Sequence, residues 1–428
     1  MNWAETKLGL VAEINPRSRD WTTLPPETPV SFIPMAAISE RTATITENVA
    51  RPLAEVRKGY TPFRNDDVLF AKITPCMENG KAALAKSLQN GIGFGSTEFH
   101  VLRARPGTLP KFIYFFVRQS DFRMAARQRF RGAAGQQRVP EDFLEDYPFP
   151  AVAISEQCRV VELLEQADEL RRQRVEADSI AARILPALFY NHFGNPATNS
   201  LNWPKTKIGS VVTETSYGTS CQSNTNSEGL PVLRMNNITS AGQLNLSDVK
   251  HVLLGEGELA KQRLQAGDLL FNRTNTKELV GKTGLWRGQM QAVAASYLIR
   301  VRADQSQVLP DYLWAWMNTP YFKQLLFDIS RRAVGMANIN ATELRSMPIL
   351  VPTLQRQELF AEHLRSLETL ADKRKESARS LESLFAVMLH RAFTGNLTAQ
   401  WREAHMKELL AEMEQQARLL RSTPNGTN

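Results

Sequence analysis

Residues 2–11 read NWAETKLGLV and residues 202–211 read NWPKTKIGSV, six identities in ten positions at a separation of 200. The pair is not isolated. DDVLFAKITP (66–75) is answered by GDLLFNRTNT (267–276), LPKFIYFF (109–116) by LPDYLWAW (309–316), and HFGN (192–195) by AFTGN (392–396). Gly135, Pro148 and Gln157 return as Gly335, Pro348 and Gln357. Chance matches among common residues do not keep one order and one offset for nearly 200 residues. The chain is therefore a tandem duplication, and any fold proposed for it must be built twice. Its 428 residues also exceed what one ordinary core accommodates.

Each copy has two parts. The first ~150 residues mix strand-like stretches, VLFAKI and FHVLRA among them, with Gly, Asn and Pro turns. A helical stretch follows, LPKFIYFFVRQSDFRMAARQRF, opened by a Pro near its start, with Phe112–Val117 as a buried apolar run. This is an α+β globule. The second part is helical, beginning in the first copy after YPFPAVAI with Ser155 as N-cap. Val160, Leu163, Ala167, Leu170, Ala177, Ala181, Ile184 and Leu188 recur at spacings of three and four, interrupted at Arg174. Phe360, Leu364, Leu367, Leu370, Leu381, Leu384 and Met388 repeat the stripe, interrupted at Arg374. Two residues in seven is the stripe of a coiled-coil seam, and two such seams in one chain most simply pack on each other. A helix lying on its own globule is the commoner fate of apolar periodicity. Here the Glu- and Arg-rich flanks ELRRQRVEAD and ADKRKESARS favour a narrow seam. Pro186 should kink or end the first helix, with nothing equivalent in the second.

No run of ~18 apolar residues is present, so nothing is expected to span a membrane, and MNWAETKLGL lacks the pattern of a signal peptide. Three cysteines, Cys76, Cys158 and Cys221, without CxxC spacing, fit free buried thiols in a reducing cytoplasm. The net charge of +8 admits a polyanionic partner without proving one, so the placement of charge matters more. Arg118–Arg138 holds six arginines against Asp121 alone and ends in RGAAGQQR. Lys261–Arg302 holds eight basic residues against Asp268 and Glu278, with FNRTNTK at its centre. A single charged run is usually a solvated face. Corresponding runs in both globules, mixing cations with Asn, Gln and Thr, point to phosphates and base edges.

Catalytic signatures fail on inspection. VGKTG (280–284) has Thr276 where the phosphate loop needs Gly, and GIGFG (91–95) lacks a following helix and reads as a turn. No Asn-Pro-Pro-aromatic sequence and no HxxxH or CxxC pair occurs, so no metal site is expected.

Taken together these features resemble the specificity subunits of type I restriction–modification enzymes. The residues carrying the resemblance are DDVLFAKITP with GFGSTEFHVLR, GDLLFNRTNTKELVGKTGL, YPFPAVAISEQ and MPILVPTLQRQ before the long helices, and FTGNLTAQWR near the end. The resemblance implies two target-recognition domains alternating with two long helices packed antiparallel as a spacer. Residues 1–152 and 197–352 are then the recognition domains, 153–196 and 353–396 the spacer helices with the linker GNPATNS, and 397–428 an amphipathic tail. It further implies double-stranded DNA as ligand, two modification subunits as partners, and restriction subunits joining that core. S-adenosylmethionine and ATP would sit on those partners, leaving this chain non-catalytic and without cofactor.

The candidate DNA contacts are Lys72, Thr74, Arg129, Arg131, Gln136, Gln137 and Arg138 in the first domain. In the second they are Arg273, Asn275, Thr276, Lys277, Arg331, Arg332 and Asn338. Divergent globules should read different half-sites, giving an asymmetric bipartite target with a fixed spacer. Other readings are a protein-binding scaffold whose coiled coil dimerises, and an enzyme with an unrecognised nuclease site.

Overall fold

The computed structural model of the chain describes residues 3–17, 19–133, 135–330 and 336–422. It divides into two compact units, Met1–Asp178 with Lys375–Asn428, and Ser179–Arg374. The units do not follow the sequence repeat, because the division falls inside both long helices. Each unit takes one globule and one end of each helix.

The first unit is built on two four-stranded sheets. One orders Ala12–Ile14, Phe99–Ala104, Val68–Ala71 and Ala82–Leu84, all antiparallel. The other orders Val49–Pro52, Pro29–Ile33, Ile92–Gly95 and Thr61–Arg64. The strand Val68–Ala71 is wholly buried because alternate side chains enter different cores. Val68 and Phe70 join the helices Pro110–Phe116 and Ser120–Gln128 through Phe112, Phe116 and Phe122. Leu69 points the other way, with Val101, Ile33 and Phe63. GIGFG is thus a strand and not a turn. Its glycines admit the Phe63 ring, since a Cβ on Gly93 would lie 2.2 Å from that ring. The expected single helix after Leu109 is two, with an extended residue at Gln119 between them.

The second unit repeats the plan. Val212–Tyr217, Leu298–Ala303, Leu269–Asn272 and Thr283–Leu285 form its antiparallel sheet. Leu269 and Phe271 face the helices Pro310–Met317 and Pro320–Ser330, while Leu270 faces Leu233, Ile238 and Trp286.

The duplicated sequence marks the joints. Ala4–Lys7 pairs antiparallel with Pro148–Ala151, Lys7 opposite Pro148, and Lys205–Lys207 pairs with Pro348–Leu350, Lys207 opposite Pro348. The Thr-Lys end of NWxxTK therefore lies in the strand that ties the start of each globule to the segment leaving it for the helix. Gln157 and Gln357 do the same job from the first turn of that helix. Gln157 accepts from Leu109 N–H at 2.9 Å and donates to the carbonyls of Gly107 and Val152. Gln357 accepts from Leu309 at 2.8 Å and donates to Gln307 and Pro352. An ion pair on a buried aspartate also recurs. Asp67 clasps Arg103 at 2.8 and 2.7 Å, and Asp268 clasps Arg302 at 2.8 and 3.1 Å.

The first long helix runs Ile154–Ala181, breaks, and resumes as Ile184–Phe193. The break contains Ala182, whose carbonyl the Pro186 ring would strike in a continuous helix. The second, Leu354–Phe393, is unbroken. In the first unit the helices run antiparallel: Arg171 of the first meets Glu382 of the second at 2.7 Å, and near the start of the first Glu156 meets Arg402, which lies beyond the end of the second, at 2.8 Å. The buried edge is wider than the expected seam. Val160, Val161 and Leu164 share one core with Phe385, Leu389 and the globule's Phe112 and Phe149. Phe189 and Phe193 likewise share a core with Phe360, Leu364 and Tyr312 in the second unit. Leu170, Ile184, Leu370 and Leu384 are exposed. The globule lies on part of each helix, so burial follows a full helical face as well as the two-in-seven seam.

Ser155 is not the N-cap, because helix begins at Ile154. Its N–H instead reaches Glu412 at 3.0 Å, and its hydroxyl donates to the same carboxylate. Cys76 is half-buried, and Cys158 and Cys221 are exposed, so the cysteines are free without being buried. Among the described residues no helix is long and apolar enough to cross a membrane.

Candidate nucleic-acid interface

In the first unit the chain leaves the central strand Val68–Ala71 as Lys72–Pro75 and meets the loop 129–139. Arg131 and Arg138 exchange both backbone hydrogen bonds at 2.9 Å, closing RGAAGQQR into a hairpin-like loop. Gly132 has φ +118°, and a Cβ there would lie 3.0 Å from the Gln136 carbonyl, so the turn needs glycine. Ile73 bridges Arg138, Thr74 N–H donates to Gln137 at 3.0 Å, and Val139 N–H donates to Lys72 at 2.9 Å. Lys72, Thr74, Arg131, Gln136, Gln137 and Arg138 are thereby assembled on two adjoining segments, with Arg129 at the loop's start.

They are not equivalent. Arg138 is held by Glu98 at 2.7 and 2.9 Å, and this bond keeps the Glu98 carboxyl below its ordinary value. Arg131 is held by Asp142 at 2.7 Å. Thr74 donates its hydroxyl to Glu78. Those three shape the loop, whereas Arg129 and Gln136 are exposed and Gln137 is half-buried. Beneath the loop, burial lowers the His100 pKa, and His100 Nε2 lies 2.8 Å from the Val139 carbonyl.

The second unit places the corresponding segments together. Thr274–Asn275 pairs with Ala337–Asn338, Thr274 opposite Asn338, and the Thr274 hydroxyl reaches Asn338 Oδ1 at 3.2 Å. Ile339 N–H donates to the Arg273 carbonyl at 2.9 Å. The Arg273 guanidinium lies 4.7 Å from the centre of the Tyr217 ring, a cation–π contact. Thr276 N–H bonds Asn275 Oδ1 at 2.9 Å, and Lys277 follows it in the same turn. Arg273, Asn275, Thr276, Lys277 and Asn338 thus adjoin. Arg331 and Arg332 lie outside the described residues.

Three features escaped the sequence reading. Glu98 holds the first loop by its contact with Arg138, from a position well before the arginine-rich run in sequence. Asn272 is fully buried at the root of the second segment with neither amide atom hydrogen-bonded among the described residues, where the first copy has Ala71. Its polarity inside a repeat of apolar strand was the available signal. The third is a half-buried cation under each segment. Arg123 donates to the Glu78 carbonyl at 3.2 Å, and Lys323 donates to the Gly281 carbonyl. Burial, then the neighbouring Lys282, pushes the Lys323 pKa down to about 7.

That shift gives a signed prediction. Unfolded, Lys323 titrates at roughly 10.4. Between pH ~7 and ~10 the unfolded chain therefore holds more protons, and stability of the second unit rises with pH. The slope from this residue is at most ~1.4 kcal/mol per pH unit, and below its folded pKa the penalty is fully present. Lys323→Met should lose that rise, as urea unfolding at pH 6.5, 8 and 9 would read. Parallel pH slopes in the two proteins would contradict it.

Residues 201–382 match the family model described as the type I restriction modification DNA specificity domain. The specificity subunit of the EcoAI type I restriction enzyme of Escherichia coli is 38% identical over 179 residues, 40% of this chain and 29% of that protein. The EcoKI specificity subunit of E. coli K12 is 27% identical over 341 residues, 75% of this chain and 72% of its own. The alignments to the EcoAI and EcoEI subunits each span only 29% of those relatives' length. A solved structure of a type I R-M system shares the fold, with TM-score 0.57, 20% identity and coverage of 92% of this chain and 98% of that one. The type I S subunit from M. genitalium does so with TM-score 0.52, 11% identity and coverage of 92% and 96%.

Proposed function

We propose, from the premise that this chain belongs to the specificity subunits of type I restriction–modification enzymes, that it is the DNA-recognition subunit of such a complex and reads one half of an asymmetric bipartite site with each unit. The observation that carries this reading is the repeated pairing of segments. Each unit lays the residues after its central strand against a second loop, at positions 73 and 138 in one and 274 and 338 in the other. The scaffold is the same and the side chains presented differ: Lys, Thr, Gln and Arg in the first, Arg, Asn, Thr and Lys in the second. Such sets supply cations for phosphate and bidentate amides for base edges.

The chain is non-catalytic on this reading and works in the cytoplasm with two modification subunits, joined by restriction subunits. The partners hold S-adenosylmethionine and ATP. Exposed apolar residues on the helices, Leu170 and Leu384 in one unit and Ile184 and Leu370 in the other, suit protein partners. Binding of the purified chain to duplex DNA should fall linearly in log K against log salt concentration. Salt-independent or absent DNA binding would favour a protein scaffold instead. Calorimetry should detect no micromolar binding of S-adenosylmethionine or ATP by the chain alone, and turnover of DNA by it would revive an enzyme.

A further inference from the structure

The C-terminal segment fills a groove in the first unit. Thr398 donates to Glu156 at 2.6 Å and Arg402 at 2.8 Å, while the Arg402 guanidinium lies 5.0 Å from the Trp3 ring centre. The helix Met406–Ser422 follows, burying Leu409 and placing the Glu412 carboxylate on the N–H of Ser155. Trp3, Ser155 and Glu156 are thus the ground on which the tail sits.

The second unit carries the corresponding ground with no such helix on it, and there Arg356 Nε donates to the His192 carbonyl at 3.0 Å. Residues 200 positions later line an open groove of about 730 Å³: Leu201, Trp203, Gln355, Arg356, Leu359 and Glu362. Trp203 stands for Trp3, Gln355 for Ser155 and Arg356 for Glu156. Leu201 and Leu359 are 46% and 42% exposed and line the same groove as Trp203, a contiguous apolar patch of the kind that marks an interaction site. The Gln355 N–H has no acceptor among the described residues, whereas its counterpart Ser155 has Glu412.

Charge decides what fits. A second copy's tail would bring Arg402 against Arg356, where its own groove offers the buried Glu156. We propose that this groove docks an amphipathic helix of a partner polypeptide, with an apolar stripe on Leu201, Trp203 and Leu359 and a carboxylate facing Arg356. The occupant is a relative of the tail in shape and its opposite in charge at one position. The proposal stands independently of the DNA reading, because it rests on the internal comparison of the two units.

The test uses the full chain and two labelled peptides of residues 397–422, one native and one carrying Arg402→Glu. The R402E peptide should bind saturably at one site, at least tenfold tighter than the native peptide. Arg356→Glu in the chain should reverse that preference, whereas Arg356→Gln, which also loses the bond to the His192 carbonyl but adds no negative charge, should only abolish it. No saturable binding of the R402E peptide, or an affinity indifferent to Arg356→Glu, would overturn the proposal. Tighter binding of the native peptide to the unaltered chain would also overturn it, and would point to a second copy as the occupant.

Discussion

Replacing Arg402 with alanine should cost the first unit about 3–5 kcal/mol, the usual consequence of removing one partner of a buried ion pair. Glu156 is 3% exposed and Arg402 8%, so water cannot take the place of the lost guanidinium. The Trp3 indole at 3.2 Å and the Thr398 hydroxyl at 2.6 Å would still donate to Glu156, but neither carries charge. Denaturant unfolding should show a lower midpoint for the transition of the first unit. Glu156→Gln with Arg402→Met, which removes both charges, should recover a large part of the loss. An Arg402→Ala protein as stable as the parent would refute the pairing. The same contacts affect how truncations are read. Deletion beyond Asn396 removes Thr398, Arg402, Leu409 and Glu412 together, so failure of that protein to assemble would reflect a damaged unit as much as a lost docking site.

The triple change Arg129→Ala, Gln136→Ala and Gln137→Ala should weaken binding to the cognate site about 100-fold or more, taking roughly 1–3 kcal/mol for each specific contact. Discrimination should relax in one half of the site and persist in the other. Arg131 and Arg138 are left in place, since Asp142 and Glu98 engage them in holding the loop. Arg138→Ala is expected to act differently, freeing Glu98 and loosening the loop as a whole. Competition binding against sites altered in either half would distinguish the two. Equal relaxation of both halves by the triple change would mean that the loop does not read a half-site.

The duplication was legible because joints repeat more faithfully than surfaces. NWxxTK, Pro148 with Pro348, and Gln157 with Gln357 each satisfy backbone groups that any copy of this fold must satisfy. Pro186 likewise announced its break through its own stereochemistry. The candidate contacts among the described residues adjoin for a related reason, since they flank the ends of strands whose apolar pattern could be read directly. Burial along the helices was harder. The two-in-seven stripe marked Leu170 and Leu384, which are exposed, and passed over Val161 and Phe385, which are buried. A second packing surface from the globule is a tertiary fact that periodicity along one helix does not encode. GIGFG was misread for a similar reason: its glycines serve the close approach of Phe63, a residue about 30 positions away in the chain. The roles of Glu98 and Glu412 also depend on partners distant in sequence, Arg138 and Ser155.

Sequencing the DNA that the chain retains from a randomised duplex pool, at low and moderate salt, tests sequence-specific recognition most directly. Two separated groups of fixed bases should be enriched, unequal in sequence and at constant spacing, with retention falling as salt rises. Enrichment of a continuous or palindromic motif, or of none, would contradict recognition of an asymmetric site by two unlike units.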